Sequence, residues 1–197
     1  MSNNANWRGS GVTSIERAGL LRQSPITLWL TGLSGSGKST LAFELEQRVH
    51  RLGHACYVLD GDMVRLGLNR DLGFSPADRT ENIRRVAEVA RLFNDAGLIV
   101  ITAFIAPYAK DREAARGIIG AERFLETYLT ADLATCERRD PKGLYAKARD
   151  GQIADFTGIS APYEVPANPA LALDTALRSV DACTQDLLAL LSTRIRT

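Results

Sequence analysis

The chain has 197 residues, with 24 basic and 23 acidic side chains and a formal net charge of +1 at pH 7. That length suits one domain that buries roughly 70% of its unfolded surface without disulfide or metal staples. The cancelled charge excludes a global field that would draw the protein to nucleic acid or to an anionic membrane, so any anion affinity must be local. Cys56, Cys136 and Cys183 form no C-x-x-C pair, the pattern of reduced thiols in a cytosolic enzyme, with Cys56 read as a small buried residue. The N-terminal stretch has no signal-like apolar core, and the longest apolar run, 98–107, is too short to span a bilayer. The expectation is a soluble, cytoplasmic protein.

Residues 1–24 are polar, with one isolated aromatic, Trp7, and read as an N-terminal arm ahead of a domain over 25–197. Residues 26–40, ITLWLTGLSGSGKST, run from a β-rich apolar segment into Gly32, Ser34, Gly35, Ser36, Gly37, Lys38, Ser39 and Thr40, with the spacing G-x-x-x-x-G-K-S. Glycines there let the backbone turn successive N–H groups around an anion. Lys38 reaches terminal phosphates, Ser39 can ligate Mg2+, and a helix N-terminus behind the loop adds its positive dipole end. Leu41, Leu45 and Val49 then recur at helical spacing up to Gly53. A short strand over 55–59 stops at Asp60-Gly61-Asp62. Strand, helix and strand in this order predict a three-layer α/β fold with a mostly parallel sheet, whose ligands gather at the carboxyl ends of the strands.

Residues 63–76 read as a short helix and a loop carrying Arg65 and Phe74. Ile83, Val86, Ala87, Ala90 and Phe93 predict a long helix over 77–96, ended by Gly97, with Arg79 and Asn82 one turn apart on it. A buried strand over 98–104 is closed by Ile105-Ala106-Pro107, followed by a helix over 111–119 and a strand over 124–129. A short helix over 131–139 brings Arg138 and Arg139 to a stretch rich in Pro and Gly with Lys142, Leu144, Lys147, Arg149 and Phe156. Long irregular segments of this kind serve as covers, so 140–168 reads as a mobile lid. A strand over 170–173 and a helix over 180–195 close the chain.

A phosphate loop establishes nucleoside triphosphate binding and leaves the reaction open. There is no Asn-Lys-x-Asp segment to read guanine, and strand 98–104 ends without an acid, so Asp60 and Asp62 point to a small-molecule kinase. One carboxylate can accept the proton of an attacking hydroxyl while the other holds Mg2+ through water; Asp62 would serve equally as the cap of a helix starting near Met63. Arg65, Arg79 and Lys142 predict an anionic acceptor, and Phe74 and Phe156 could stack a base. Two other readings compete: a P-loop kinase for another hydroxylated metabolite, and a nucleotide sensor that binds without turnover.

Taken together, LTGLSGSGKST, LDGD, GLNRDLGFSPADRTENIRRVAEVARLFNDAG, AFIAPY and RDPKGLYAKARDGQIADFTGISAPYE resemble the adenylylsulfate kinase (APS kinase) family, from about Asn4 to Thr175. The resemblance implies a P-loop kinase that transfers the ATP γ-phosphate to the 3′-hydroxyl of adenosine 5′-phosphosulfate, with Mg2+, a homodimer, and possible association or fusion with a sulfate adenylyltransferase. It further implies that Asp62, Arg65, Phe74, Arg79, Asn82, Ile105, Ala106, Lys142, Leu144 and Phe156 face the acceptor. Gly35 to Thr40 and Arg139 would hold ATP. Asp62 would be the base and Asp60, with Ser39, the metal side, roles the two aspartates could exchange. Two departures stand out: Ala106 replaces a serine that many relatives carry, which removes the hydroxyl a phosphoserine intermediate needs, and Arg8 follows Trp7 where several relatives have His.

Overall fold

A computed structural model describes residues 11–195. Trp7, Arg8 and the first part of the expected arm lie outside the described residues. Five strands, β1 (Thr27–Thr31), β2 (Cys56–Asp60), β3 (Ile99–Ala103), β4 (Phe124–Leu129) and β5 (Leu171–Leu173), form one sheet in the order β2-β3-β1-β4-β5. Every pairing is parallel, with Leu28 opposite Ile101, Thr27 opposite Phe124, Val58 opposite Ile101 and Thr127 opposite Leu171. The strand order reverses at central β1, so the segment that leaves it opens into the crevice where parallel sheets hold ligands.

The helices among the described residues are α1 (Ser14–Leu21), α2 (Lys38–Arg51), α3 (Gly61–Leu66), α4 (Pro76–Asp95), α5 (Ala109–Ile119), α6 (Leu133–Arg139), α7 (Leu144–Arg149) and α8 (Val180–Ser192). Alternation along the strands assigns the two cores. Leu28, Leu30, Ile99 and Ile101 face α2 and α8, meeting Leu41, Leu45, Val49, Leu187 and Leu191. Trp29 and Val100 face the other way, onto Ile83, Val86, Ala87 and Ala90 of α4 and Ala115 and Ile119 of α5. Trp29 is fully buried with its ring centroid 5.4 Å from that of Phe124 and 6.2 Å from that of Phe104. Truncating a fully buried leucine such as Leu45 to alanine in such a core costs about 2–5 kcal/mol.

A third, smaller core lies apart from the sheet. Ala131, Cys136, Tyr145, Ala148 and Phe156 are buried together, with Leu33, Leu144, Ile153 and Ile159 packed against them. Thus the segment expected to be irregular contains helix α7, and its Tyr145, Ala148 and Phe156 share a core with Ala131 and Cys136 outside it.

Three differences from the sequence expectations have plain causes. Ser14–Leu21, within the expected arm, is helical because Thr13 accepts from the Glu16 N–H while the Glu16 carboxylate accepts from the Thr13 N–H, a reciprocal capping box. It docks on α4 through Arg17 to Asp95 at 2.9 Å, and at Gly97, where an added Cβ would lie 3.2 Å from the Ala18 nitrogen. The helix after β2 starts at Gly61, two residues earlier than expected, so its cap is Asp60 rather than Asp62. Cys56 is half-buried rather than buried, its thiol donating to the Glu46 carbonyl.

Candidate active site

At the carboxyl ends of the strands the chain leaves β1 through Gly32 and wraps a loop onto the N-terminus of α2. Gly32, Gly35 and Gly37 have φ of 153°, 75° and 93°. The conformation and the packing both demand glycine at two of them: a Cβ on Gly32 would sit 2.9 Å from the Leu129 carbonyl, and one on Gly35 3.0 Å from that of Cys136. Lys38 is buried and its ammonium donates to the carbonyls of Gly32 at 3.0 Å and Leu33 at 2.6 Å. Burial lowers its pKa to about 8, against the opposing pull of Cys136, Asp60 and Asp62. The loop is braced from outside. Thr175 Oγ1 donates to the Ser36 carbonyl at 2.8 Å, the Tyr145 hydroxyl to that of Ser34 at 2.9 Å, and Arg139 to those of Gly35 and Thr175 at 3.3 and 2.5 Å.

Beside the loop, Ser39 Oγ donates to Asp60 Oδ2 at 2.6 Å, and Asp60 Oδ1 accepts from the Asp62 N–H at 2.9 Å. Asp60 is buried, and each of its carboxylate oxygens accepts one hydrogen bond and keeps a lone pair to spare. The Asp62 carboxylate instead points out and pairs with the ammonium of Lys142, both half or more exposed. A hydroxyl and a carboxylate side by side are hard oxygen donors, the set that suits Mg2+, which takes its remaining ligands from water and nucleotide phosphates. No group of three or more His, Cys, Asp or Glu placed to hold a metal ion occurs among the described residues.

Farther along the same cleft Arg65 and Arg79 converge on Phe74, with guanidinium carbons 4.3 and 5.8 Å from the ring centre. Burial, and then the neighbouring Arg79, lower the pKa of Arg65 from its ordinary value. Arg65 donates to the carbonyls of Leu72 and Gly73 at 3.0 and 3.1 Å, so the two cations are held close by the backbone, an arrangement that suits an anion. Arg79 also donates to the Asp155 carbonyl at 2.8 Å and to Thr157 Oγ1 at 3.2 Å, tying α4 to the 140–168 segment. Asn82 is buried and its amide oxygen accepts from Asn69 at 3.0 Å. The two aromatic residues differ in setting: Phe74 is 58% exposed, whereas Phe156 is buried edge-on against Tyr145.

These groups line one cleft of about 1290 Å3. Of the site residues expected from sequence, Ser34, Gly35, Gly37, Lys38, Ser39, Thr40, Asp60, Asp62 and Arg139 line it toward the loop. Arg65, Phe74, Arg79, Asn82, Ile105, Ala106, Lys142, Leu144 and Phe156 line it farther along. Gly32 and Ser36 lie beneath the loop, where they shape it. Sequence reasoning missed Thr175, Asn69 and Tyr145. The first lies about 140 positions from its partner Ser36, and no local pattern marks that approach.

Residues 24–174 match the family model for adenylylsulphate kinase. The chain is 57% identical over 180 residues, 91% of its length, to the bifunctional enzyme NodQ of Azospirillum brasilense, of which it spans only 29%. It is 56% identical to the adenylyl-sulfate kinase of Pseudomonas entomophila, with 89% of this chain and 85% of that protein aligned. Among solved structures, the Mycobacterium tuberculosis APS kinase CysC in complex with AMPPNP and APS superposes with a TM-score of 0.82 at 49% identity, covering 86% of this chain and 98% of that one. With a phosphate loop, a parallel sheet and relatives of this identity and coverage, the chain belongs to the adenylylsulfate kinase family of P-loop kinases.

Proposed function

We propose that this chain transfers the γ-phosphate of ATP to the 3′-hydroxyl of adenosine 5′-phosphosulfate, giving 3′-phosphoadenosine 5′-phosphosulfate and ADP. The observation that carries the reading is the continuity of one cleft from Lys38 and Ser39, which suit a triphosphate, past Asp62 to Arg65 and Arg79, which suit an anionic acceptor. The solved relative named as a complex with AMPPNP and APS supports the same pair of ligands.

The division of labour follows from the hydrogen bonds. Lys38 and the loop N–H groups neutralise and orient the donor phosphates, and Arg139 flanks its nucleoside. Both Asp60 oxygens already accept a hydrogen bond, which disfavours Asp60 as the base, and their remaining lone pairs together with Ser39 Oγ would hold the metal side. Asp62, exposed and paired with Lys142, takes the proton of the 3′-hydroxyl as the hydroxyl oxygen bonds to the γ-phosphorus and the bond to the β–γ bridging oxygen breaks. Mg2+, when bound with ATP, offsets the negative charge of the β- and γ-phosphates. Arg65, Arg79 and Lys142 hold the phosphosulfate, and Phe74, Phe156, Ile105 and Leu144 bound the base. Ala106 has no hydroxyl to phosphorylate, which supports direct in-line transfer.

The three free cysteines support a cytoplasmic setting, and no helix among the described residues is long and apolar enough to cross a membrane. We further assign the chain a homodimeric state, to be checked by light scattering, and a role beside a sulfate adenylyltransferase. The deciding experiment incubates purified protein with Mg2+, ATP and adenosine 5′-phosphosulfate and locates the new phosphate by NMR. Phosphorylation of a nucleoside or sugar with the phosphosulfate untouched refutes the reading, and binding of both nucleotides without reaction favours a sensor.

A further inference from the structure

Between β3 and α5, residues 104–108 form the turn that presents Ile105 and Ala106 to the cleft. Three successive carbonyls of this turn are each claimed by a different partner. Thr31 Oγ1 donates to that of Ile105 at 2.6 Å, Arg112 to that of Ala106 at 2.8 Å, and the Glu164 N–H to that of Pro107 at 2.9 Å. The turn requires such restraint. Ala106 is buried with φ of 44°, a left-handed conformation that costs a residue with a Cβ on the order of 1 kcal/mol, and it precedes a proline, which steers its neighbour to extended conformations.

Arg112 is placed to do more than balance a charge. Its guanidinium is buried, and Nε donates to Glu126 Oε1 on β4 at 2.7 Å, which by itself would satisfy an ion pair. The other two nitrogens reach two backbone segments: one the Ala106 carbonyl, the other the Glu164 carbonyl at 2.8 Å, where the chain returns from the 140–168 segment. Glu164 answers by accepting from the Ala109 N–H at 2.6 Å, at the start of the helix that carries Arg112. Tyr163 lies against the Arg112 guanidinium, and since the single Thr31 proton goes to Ile105, its hydroxyl donates to Thr31 at 2.9 Å. A planar fork with fixed donor directions can hold these three acceptors at once, which a lysine cannot.

We propose that Arg112 is a positioning residue for the acceptor half of the cleft: it clamps the Ala106 turn to the returning end of the 140–168 segment, so that Ile105 and Ala106 keep the shape against which the acceptor binds. This rests on the phosphosulfate-kinase reading given above. The hydrogen bonds Arg112 makes go to Glu126, Ala106 and Glu164, none of them in the 32–40 loop or α2 that build the donor half.

The test is Arg112→Lys, which keeps a cation for Glu126 and loses the fork, beside Glu126→Gln, which weakens the ion pair and leaves both carbonyl bonds. Arg112→Lys is expected to raise the KM for adenosine 5′-phosphosulfate about tenfold while the KM for ATP stays within about twofold. Hydrogen exchange at the Ala109 and Glu164 amides, measured without nucleotide, should accelerate about tenfold. Glu126→Gln should lower the melting temperature and leave the acceptor KM unchanged. Tyr163→Phe, which removes one oxygen and keeps the ring, carries the test if Arg112→Lys does not fold, with an expected acceptor KM increase of about threefold. Equal shifts in both KM values, an acceptor KM that follows Glu126→Gln, or unchanged exchange and kinetics in the variants that fold would overturn the clamp. A wild type that turns over another acceptor refutes the substrate reading instead, and the amide exchange still decides the clamp.

Discussion

Ser39 Oγ and Asp60 Oδ2 meet at 2.6 Å, joining the second residue of the helix behind the phosphate loop to the last residue of β2. The bond ties together the two residues proposed above to hold the metal side. Asp60→Asn keeps an oxygen for the Asp62 N–H and remains a competent helix cap, so its stability cost should be below about 1 kcal/mol. The metal side should suffer more: half-saturation by Mg2+ at fixed ATP is expected to weaken about 10- to 100-fold. An unchanged Mg2+ titration would remove Asp60 from that role.

Asp62 and Lys142 form an ion pair with both side chains at least half exposed, a setting in which such pairs contribute little to folding. Their variants should separate function from stability. Asp62→Asn is expected to lower kcat at least about 100-fold, and Lys142→Met to raise the KM for the phosphosulfate about tenfold. Both melting temperatures should stay within about 2 °C of the wild type. A large drop in melting temperature in either variant would make the pair a structural one.

Lys38 carries a definite pH signature. Burial depresses its pKa from 10.5 to about 8, so between those values the folded protein holds fewer protons than the unfolded chain. Nucleotide-free stability should therefore rise as pH increases through this window, and below about pH 8 the contribution is flat. Donor phosphates favour the ammonium, so ATP binding should draw a proton from solution above pH 8. Titration calorimetry at pH 8.5 in buffers of different ionisation enthalpy is expected to report uptake of up to about three quarters of a proton. No buffer dependence would place the Lys38 pKa well above 8.

The direct transfer proposed above predicts a stereochemical outcome. One in-line displacement inverts the γ-phosphorus, whereas a covalent phosphoenzyme followed by a second transfer retains its configuration. ATP made chiral at the γ-phosphorus should give inverted product, and Ala106→Ser should leave that outcome unchanged. Retention in the wild type would require a nucleophile elsewhere in the cleft.

Sequence reading succeeded where local pattern and tertiary role coincide. The run from Ile26 to Thr40 names its own strand, loop and helix, because three glycines and the Leu41, Leu45, Val49 spacing are set by neighbours in the chain. The site residues expected from it line or underlie one cleft for the same reason, since parallel strands end together. Helix α1 escaped because Gly and Ser around it suggested an arm, although T-S-I-E is a readable capping box; none of its residues is buried, so no apolar stripe announces it. Phe156 and Arg112 were less accessible to such reasoning. What each does depends on partners from distant elements: Tyr145 for one, Glu126, Ala106 and Glu164 for the other.

The small core of Tyr145, Phe156, Cys136 and Ala148 bears on how the segment above the cleft can move. Tyr145, Ala148 and Phe156 of this segment pack on Ala131, Cys136 and Leu33 outside it, so an apolar contact fastens the segment beside the phosphate loop. Its moorings to the rest of the molecule include polar ones: the Tyr145 hydroxyl on Ser34, Arg79 on Asp155, and Lys142 on Asp62. Added salt screens the exposed charged mooring and leaves the apolar contact intact. We therefore predict that rising ionic strength loosens this segment from the cleft before it unfolds it, a throttle readable as faster amide exchange over 140–168 at an unchanged melting temperature.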